Sequence, residues 1–205
     1  MPVRKSPSPQ PRRRWLVGGL VVAPLILAGV VLGAFGVSWP TADPATAIGG
    51  PFSLRAADGR AVTERSFAGK WLLVFFGYTR CPDICPTTLG DVAQALARLG
   101  PLADRIQPLF VTVDPDHDTP EALRRYTAAF GDRILGLTGS PAQIAAMVHA
   151  YRGYYAPGAP GGEAAIAHSG VLYVMRPGGA YAGYLPRGIA GAVIADKLKG
   201  LVGQG

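Results

Sequence analysis

Cysteine occurs only twice in this 205-residue chain, as Cys81 and Cys85. Two thiols alone make a weak zinc signal, because a closed zinc site takes four ligands. A bridge across three intervening residues would constrain little unfolded-chain entropy, which argues against a structural staple. Histidine is nearly as scarce, with His117, His149 and His168. No hydrolase triad, phosphate-binding glycine loop or internal repeat stands out. Basic charge is also scarcer in the folded part than the total suggests. The formal net charge is +7, but Arg4, Lys5, Arg12, Arg13 and Arg14 supply five of those charges and leave +2 for the remainder. Without clustered Lys or Arg there, nucleic-acid binding is excluded as a function.

Residues 1–14 have no acidic residue, and Trp15–Val37 has no charge at all. The uncharged run is long enough to span a hydrocarbon core of about 30 Å as a helix. With the basic flank preceding it, the positive-inside rule predicts a cytoplasmic tail over 1–14 and an anchor over 15–37. A linker at 38–50 and a single domain over 51–205 follow, on the far side of a bacterial cytoplasmic membrane. A cleaved signal peptide is the rival reading, but the apolar run is longer than a usual signal core. Either way the domain is exported, where disulfide chemistry is available.

The remaining chain alternates strand and helix signals. A hairpin is predicted over 52–54 and 61–63 with its turn at Asp58-Gly59, and a buried strand over 71–76, WLLVFF. Helical spacing runs from Leu89 to Leu99. Further strands are expected at 109–114 and 134–139, with Thr119-Pro120 and Ser140-Pro141 opening the helices that follow them. A Gly/Pro/Ala-rich loop at 154–167, a hairpin over 171–175 and 181–185, and a helix over 189–201 complete an α/β domain with a mixed central sheet covered by helices.

The stretch GYTRCPDICPTTL at 77–89 carries the chemistry. Each cysteine precedes a proline, which biases it away from helical backbone. Pro86 at the first helical position would make Cys85 the cap, lower its pKa and leave Cys81 in a mobile loop. His149 reads as an ordinary helix residue and His117 as a loop residue outside any ligand set. His168, at the mouth of the strand beginning near Val171, can fold over the sheet edge towards the cysteines. Two thiolates and one imidazole are a soft set that suits Cu(I), or Cu(II) with a further ligand; zinc accepts the same donors.

FFGYTRCPDICPTTL, VTVDPDHDTPE and HSGVLYVMRPGG, in that order, resemble the SCO/SenC family of copper-binding cytochrome oxidase assembly proteins. The resemblance implies a thioredoxin-like fold behind an N-terminal transmembrane helix, and copper ligands at Cys81, Cys85 and His168. It gives supporting roles to Asp83 and Asp114. It implies a copper chaperone for the dinuclear copper centre of cytochrome c oxidase, whose partners are the oxidase's copper-site subunit and another periplasmic copper donor. The alternative is a thiol-disulfide reductase, with Cys81 and Cys85 as its redox pair, that keeps that subunit's cysteines reduced. The family usually has arginine where this chain has His117, a change that bears on local ion pairs and docking and leaves the three ligands intact.

Overall fold

The seven residues Trp71–Gly77 form a strand, β3, in which every side chain is buried. That run organises the rest of the molecule. The structure is a computed structural model that describes residues 47–156 and 166–203. β3 pairs in parallel with β4 (Ile106–Thr112), and β4 in parallel with β5 (Leu135–Thr138). On its other edge β3 meets β8 (Leu172–Met175) antiparallel, and β8 turns back into β9 (Tyr181–Leu185). The N-terminal hairpin, β1 (Ser53–Ala56) and β2 (Ala61–Thr63), closes the far side against β5, giving the order β2-β1-β5-β4-β3-β8-β9. A separate two-strand ladder joins β6 (Tyr155–Ala156) to β7 (Ala167–His168).

Among the described residues four α-helices cover this sheet: α1 (Ile84–Leu99), α2 (Pro120–Ala128), α3 (Pro141–Ala150) and α4 (Gly191–Val202). Side-chain alternation along β3 separates two layers. Phe75 meets Phe110, which meets Tyr126 of α2, on the face that also holds α1 and α4. Phe76 points the other way, to Tyr173 and to Tyr151 at the end of α3. The expected starts of α2 and α3 hold. The Thr119 hydroxyl accepts from Ala122 N, and Ser140 forms a reciprocal capping box with Gln143. α1 and α4 approach closely at Gly191, where a Cβ would lie 2.5 Å from the Asp91 carbonyl oxygen. The Gly191 amide donates to Asp91 Oδ1 at 3.1 Å, supplying a remote cap.

The mixed α/β, thioredoxin-like architecture is as expected, but three expectations need correction. The fold class included an N-terminal transmembrane helix, and no described helix is long and apolar enough to cross a membrane. The span expected at 15–37 lies outside the described residues, and the single-pass, periplasm-facing localisation built on it is withdrawn. Second, α1 starts at Ile84 rather than near Pro86. Any first-turn position tolerates proline, because none of those amides needs an intrahelical acceptor. Third, β4 begins at Ile106 rather than 109, with Pro108 inside it. Proline is accommodated there because β5 starts pairing only at Leu109, leaving that edge of β4 open.

Candidate metal centre

β3 ends at Gly77, and the chain turns over Tyr78–Cys81, where the Cys81 amide donates to the Tyr78 carbonyl at 3.2 Å. Both cysteines are free, and neither is at the surface: Cys81 is 7% exposed and Cys85 0%. Cys81 adds to the cost of ionising Cys85. Cys85 sits inside the first turn of α1, with Asp83 at the cap position. Gly77 makes room for it: a Cβ there would stand 2.7 Å from Cys85 Sγ and 2.6 Å from the Phe110 ring. The expectation of an acidic, helix-capping Cys85 is therefore wrong. Burial pushes its thiol well above the ordinary range, and the Tyr78 amide opposes this only in part. Nor is Cys81 in a mobile loop, since its turn is pinned and its side chain buried.

His168 arrives from the other end of the domain. Its Nε2 stands 3.5 Å from Cys85 Sγ, and its Nδ1 lies 2.9 Å from the Ile166 carbonyl oxygen. A carbonyl only accepts, so in the neutral imidazole Nδ1 carries the proton and Nε2 turns its lone pair to the sulfur. The rings of Phe75, at 6.2 Å, and Tyr78, edge-on at 5.6 Å, flank the imidazole. The three donors are neighbours but are not gathered about one point. Among the described residues no group of three or more His, Cys, Asp or Glu is arranged to hold a metal ion as it stands.

The other sequence candidates divide. Asp83 is exposed at the start of α1 and its side chain makes no capping hydrogen bond. His149 is exposed in the last turn of α3, away from the cysteines. Asp114 is buried beside the cysteine turn, where Arg80 Nη2 donates to Oδ2 and His117 Nδ1 meets Oδ1, both at 2.7 Å. The histidine that replaces the family's arginine thus retains an interaction with the acid. Burial alone would raise the Asp114 carboxyl; the hydrogen bonds from Arg80 and His117 outweigh it and hold the acid below the usual carboxylate range.

A depressed folded-state pKa gives stability that is present above the unfolded value, near ~4, and lost as pH falls through the folded one. Asp114→Asn should therefore be less stable than the parent at neutral pH. The gap in melting temperature should narrow as pH is lowered from about 5 towards 2. A gap that is constant across a series of melts in that window would refute the linkage.

Sequence reasoning missed Asp118, which is 0% exposed. Its carboxylate accepts from the Thr79 amide at 3.0 Å, from the Thr79 hydroxyl, and from Thr112 Oγ1 at 2.6 Å. It braces the ends of β3 and β4 immediately behind the cysteine turn. Its motif, Asp-Thr-Pro, reads simply as a helix start, and nothing local announces partners as distant as Thr79. Gly77 and Tyr78 were legible only as neighbours of the cysteines.

The chain has relatives among known proteins. The SCO1/SenC family description matches residues 40–203. The mitochondrial SCO2 homolog of Bos taurus is 40% identical over 154 residues, which cover 73% of this chain and 58% of the bovine protein. The chain thus spans well under two thirds of that relative's length. The crystal structure of Arabidopsis thaliana ScoI with copper bound superposes with a TM-score of 0.72 at 35% identity, covering 78% of this chain and all of that one (100%). Bradyrhizobium japonicum ScoI with copper bound gives 0.69 at 38% identity, over 75% of this chain and 98% of its own. A family match across most of the sequence, relatives above a third identical, and a Cys81–Cys85 pair facing His168 agree: the chain belongs to the SCO1/SenC family.

Proposed function

We propose that this protein is a copper chaperone that takes copper on Cys81, Cys85 and His168 and delivers it to the copper-site subunit of cytochrome c oxidase. The observation that carries this reading is the presentation of His168 Nε2 to Cys85 Sγ, with Nδ1 already committed to a carbonyl. Two sulfurs and one imidazole suit Cu(I), and an added oxygen or nitrogen ligand suits Cu(II). Related proteins of this fold have been solved with copper bound, which supports copper over zinc. Closing the three donors about the ion requires rearrangement at the site, and both thiols give up their protons as it binds. A separate copper donor would load the site. Asp114 supports the turn through Arg80, whereas Asp83 has no contact that gives it a role.

The reductase reading is the weaker one here. Thiol exchange is carried out by an accessible thiolate, and Cys85 is buried with its thiol pushed up. The clamp still depends on redox state, since a Cys81–Cys85 disulfide leaves no thiolate for copper.

The deciding experiment is an anaerobic Cu(I) titration of the reduced protein against a chromophoric chelator. His168→Ala should weaken binding by about 100-fold, the upper end of what loss of even an outer-shell partner costs, while His149→Ala should bind as the parent does. Parent-like binding by both variants would sink the three-ligand reading. Rapid reduction of an oxidised copper-site partner without copper, indifferent to His168, would favour the reductase.

A further inference from the structure

Tyr78 touches all three candidate ligands. Its carbonyl accepts from the Cys81 amide, and its own amide points at the Cys85 sulfur. Its side chain, 5% exposed, serves the third ligand. The ring stands edge-on to His168, and the hydroxyl oxygen accepts from the Ile166 amide at 3.3 Å.

His168 needs such a tie. It lies on β7, a two-residue strand whose ladder partner is β6, outside the seven-stranded sheet that positions the cysteines. No sheet hydrogen bond therefore joins β7 to β3. The link runs through Ile166, which is itself buried: its amide donates to Tyr78 Oη, and its carbonyl accepts from His168 Nδ1. One residue thus relays the Tyr78 hydroxyl to the far side of the imidazole, opposite the nitrogen that faces Cys85. Ring packing from Phe75 and Tyr78 fixes the tilt of the imidazole, but a ring contact does not fix how far the segment slides along it. A directional hydrogen bond does.

We propose that the Tyr78 hydroxyl is a positioning group of the metal centre, holding the Ile166–His168 segment so that Nε2 stands in register with the two sulfurs. The inference rests on the copper reading above. It separates the phenol's oxygen from its ring, because Tyr78→Phe keeps the volume, the edge-on contact and both backbone contacts while deleting one oxygen.

The test is a double-mutant cycle on Cu(I) affinity with Tyr78→Phe, His168→Ala and the pair, joined to amide exchange of Ile166 in the metal-free protein. Tyr78→Phe should weaken Cu(I) binding about tenfold, the low end of the effect of an outer-shell partner, and should cost nothing further once His168 is alanine. It should also speed exchange of the Ile166 amide by about tenfold, as loss of a hydrogen bond does. An unchanged affinity, or the same loss with and without His168, would overturn the proposal by showing that the hydroxyl does not act through the histidine. Parent-like copper binding by His168→Ala would instead overturn the ligand reading. In that event the Ile166 exchange rate still judges the tie: an unchanged rate in Tyr78→Phe refutes it.

Discussion

Replacing Cys85 with serine should abolish tight Cu(I) binding, with a loss larger than the ~100-fold that an outer-shell partner is worth. A hydroxyl is a hard donor of high pKa, and Cu(I) selects soft thiolates. The substitution is otherwise mild. Serine fits the notch opened by Gly77, and the Tyr78 amide that points at the sulfur can donate to its oxygen instead. The melting temperature should therefore move far less than the affinity. Cys81→Ser should lose binding as severely, since two donors cannot replace the three-coordinate clamp. Oxidising the parent to the Cys81–Cys85 disulfide should reproduce that loss, and reduction should reverse it. Copper retained after loss of either sulfur, measured by the same chelator competition, would exclude this pair as the clamp.

The second large effect falls on stability. Asp118→Ala should destabilise the fold by about 3 kcal/mol, because it strands the Thr79 amide and two threonine hydroxyls around a fully buried cavity. For a domain of this size that is a fall in melting temperature of roughly 6–12 °C. Asp118→Asn keeps one acceptor oxygen and should lose less. Because the brace holds Thr79, two residues before Cys81, the alanine variant should also weaken copper binding in its folded fraction. A melt within about 2 °C of the parent would mean that the threonines find other partners and that the carboxylate is no brace.

How legible these features were depends on the range over which they act. Short-range signals came through. The apolar run 71–76 is the central strand, and Thr119-Pro120 and Ser140-Pro141 do open helices. The cysteine spacing and the position of His168 before a strand singled out side chains of which the fold sets Cys85 and His168 3.5 Å apart. Errors arose where two local preferences competed. The bias of pre-proline residues against helix suggested a late start for α1, but packing of Cys85 into the Gly77 notch holds it helical from Ile84. That same burial reversed the expected acidity of Cys85. What no local pattern could announce was long-range pairing: Asp118 with Thr79, Tyr78 with Ile166, and the small ladder that carries His168.

The contact between Gly191 and Asp91 also bears on the order in which the protein is built. α1 meets β3 where Cys85 packs against Gly77, just before the cysteine turn, and α4 closes on it across a sequence separation of 100 residues. Contacts that far apart form late, because a long loop must close before they repay its entropy. The helix that holds Cys85 is therefore half-covered until the last helix docks. A nascent or truncated chain lacking α4 already contains every candidate ligand, yet it has no finished support beneath one of them. Acquisition of metal is thereby tied to completion of the chain, and damage at the carboxyl end reaches the metal centre without altering any residue that touches it.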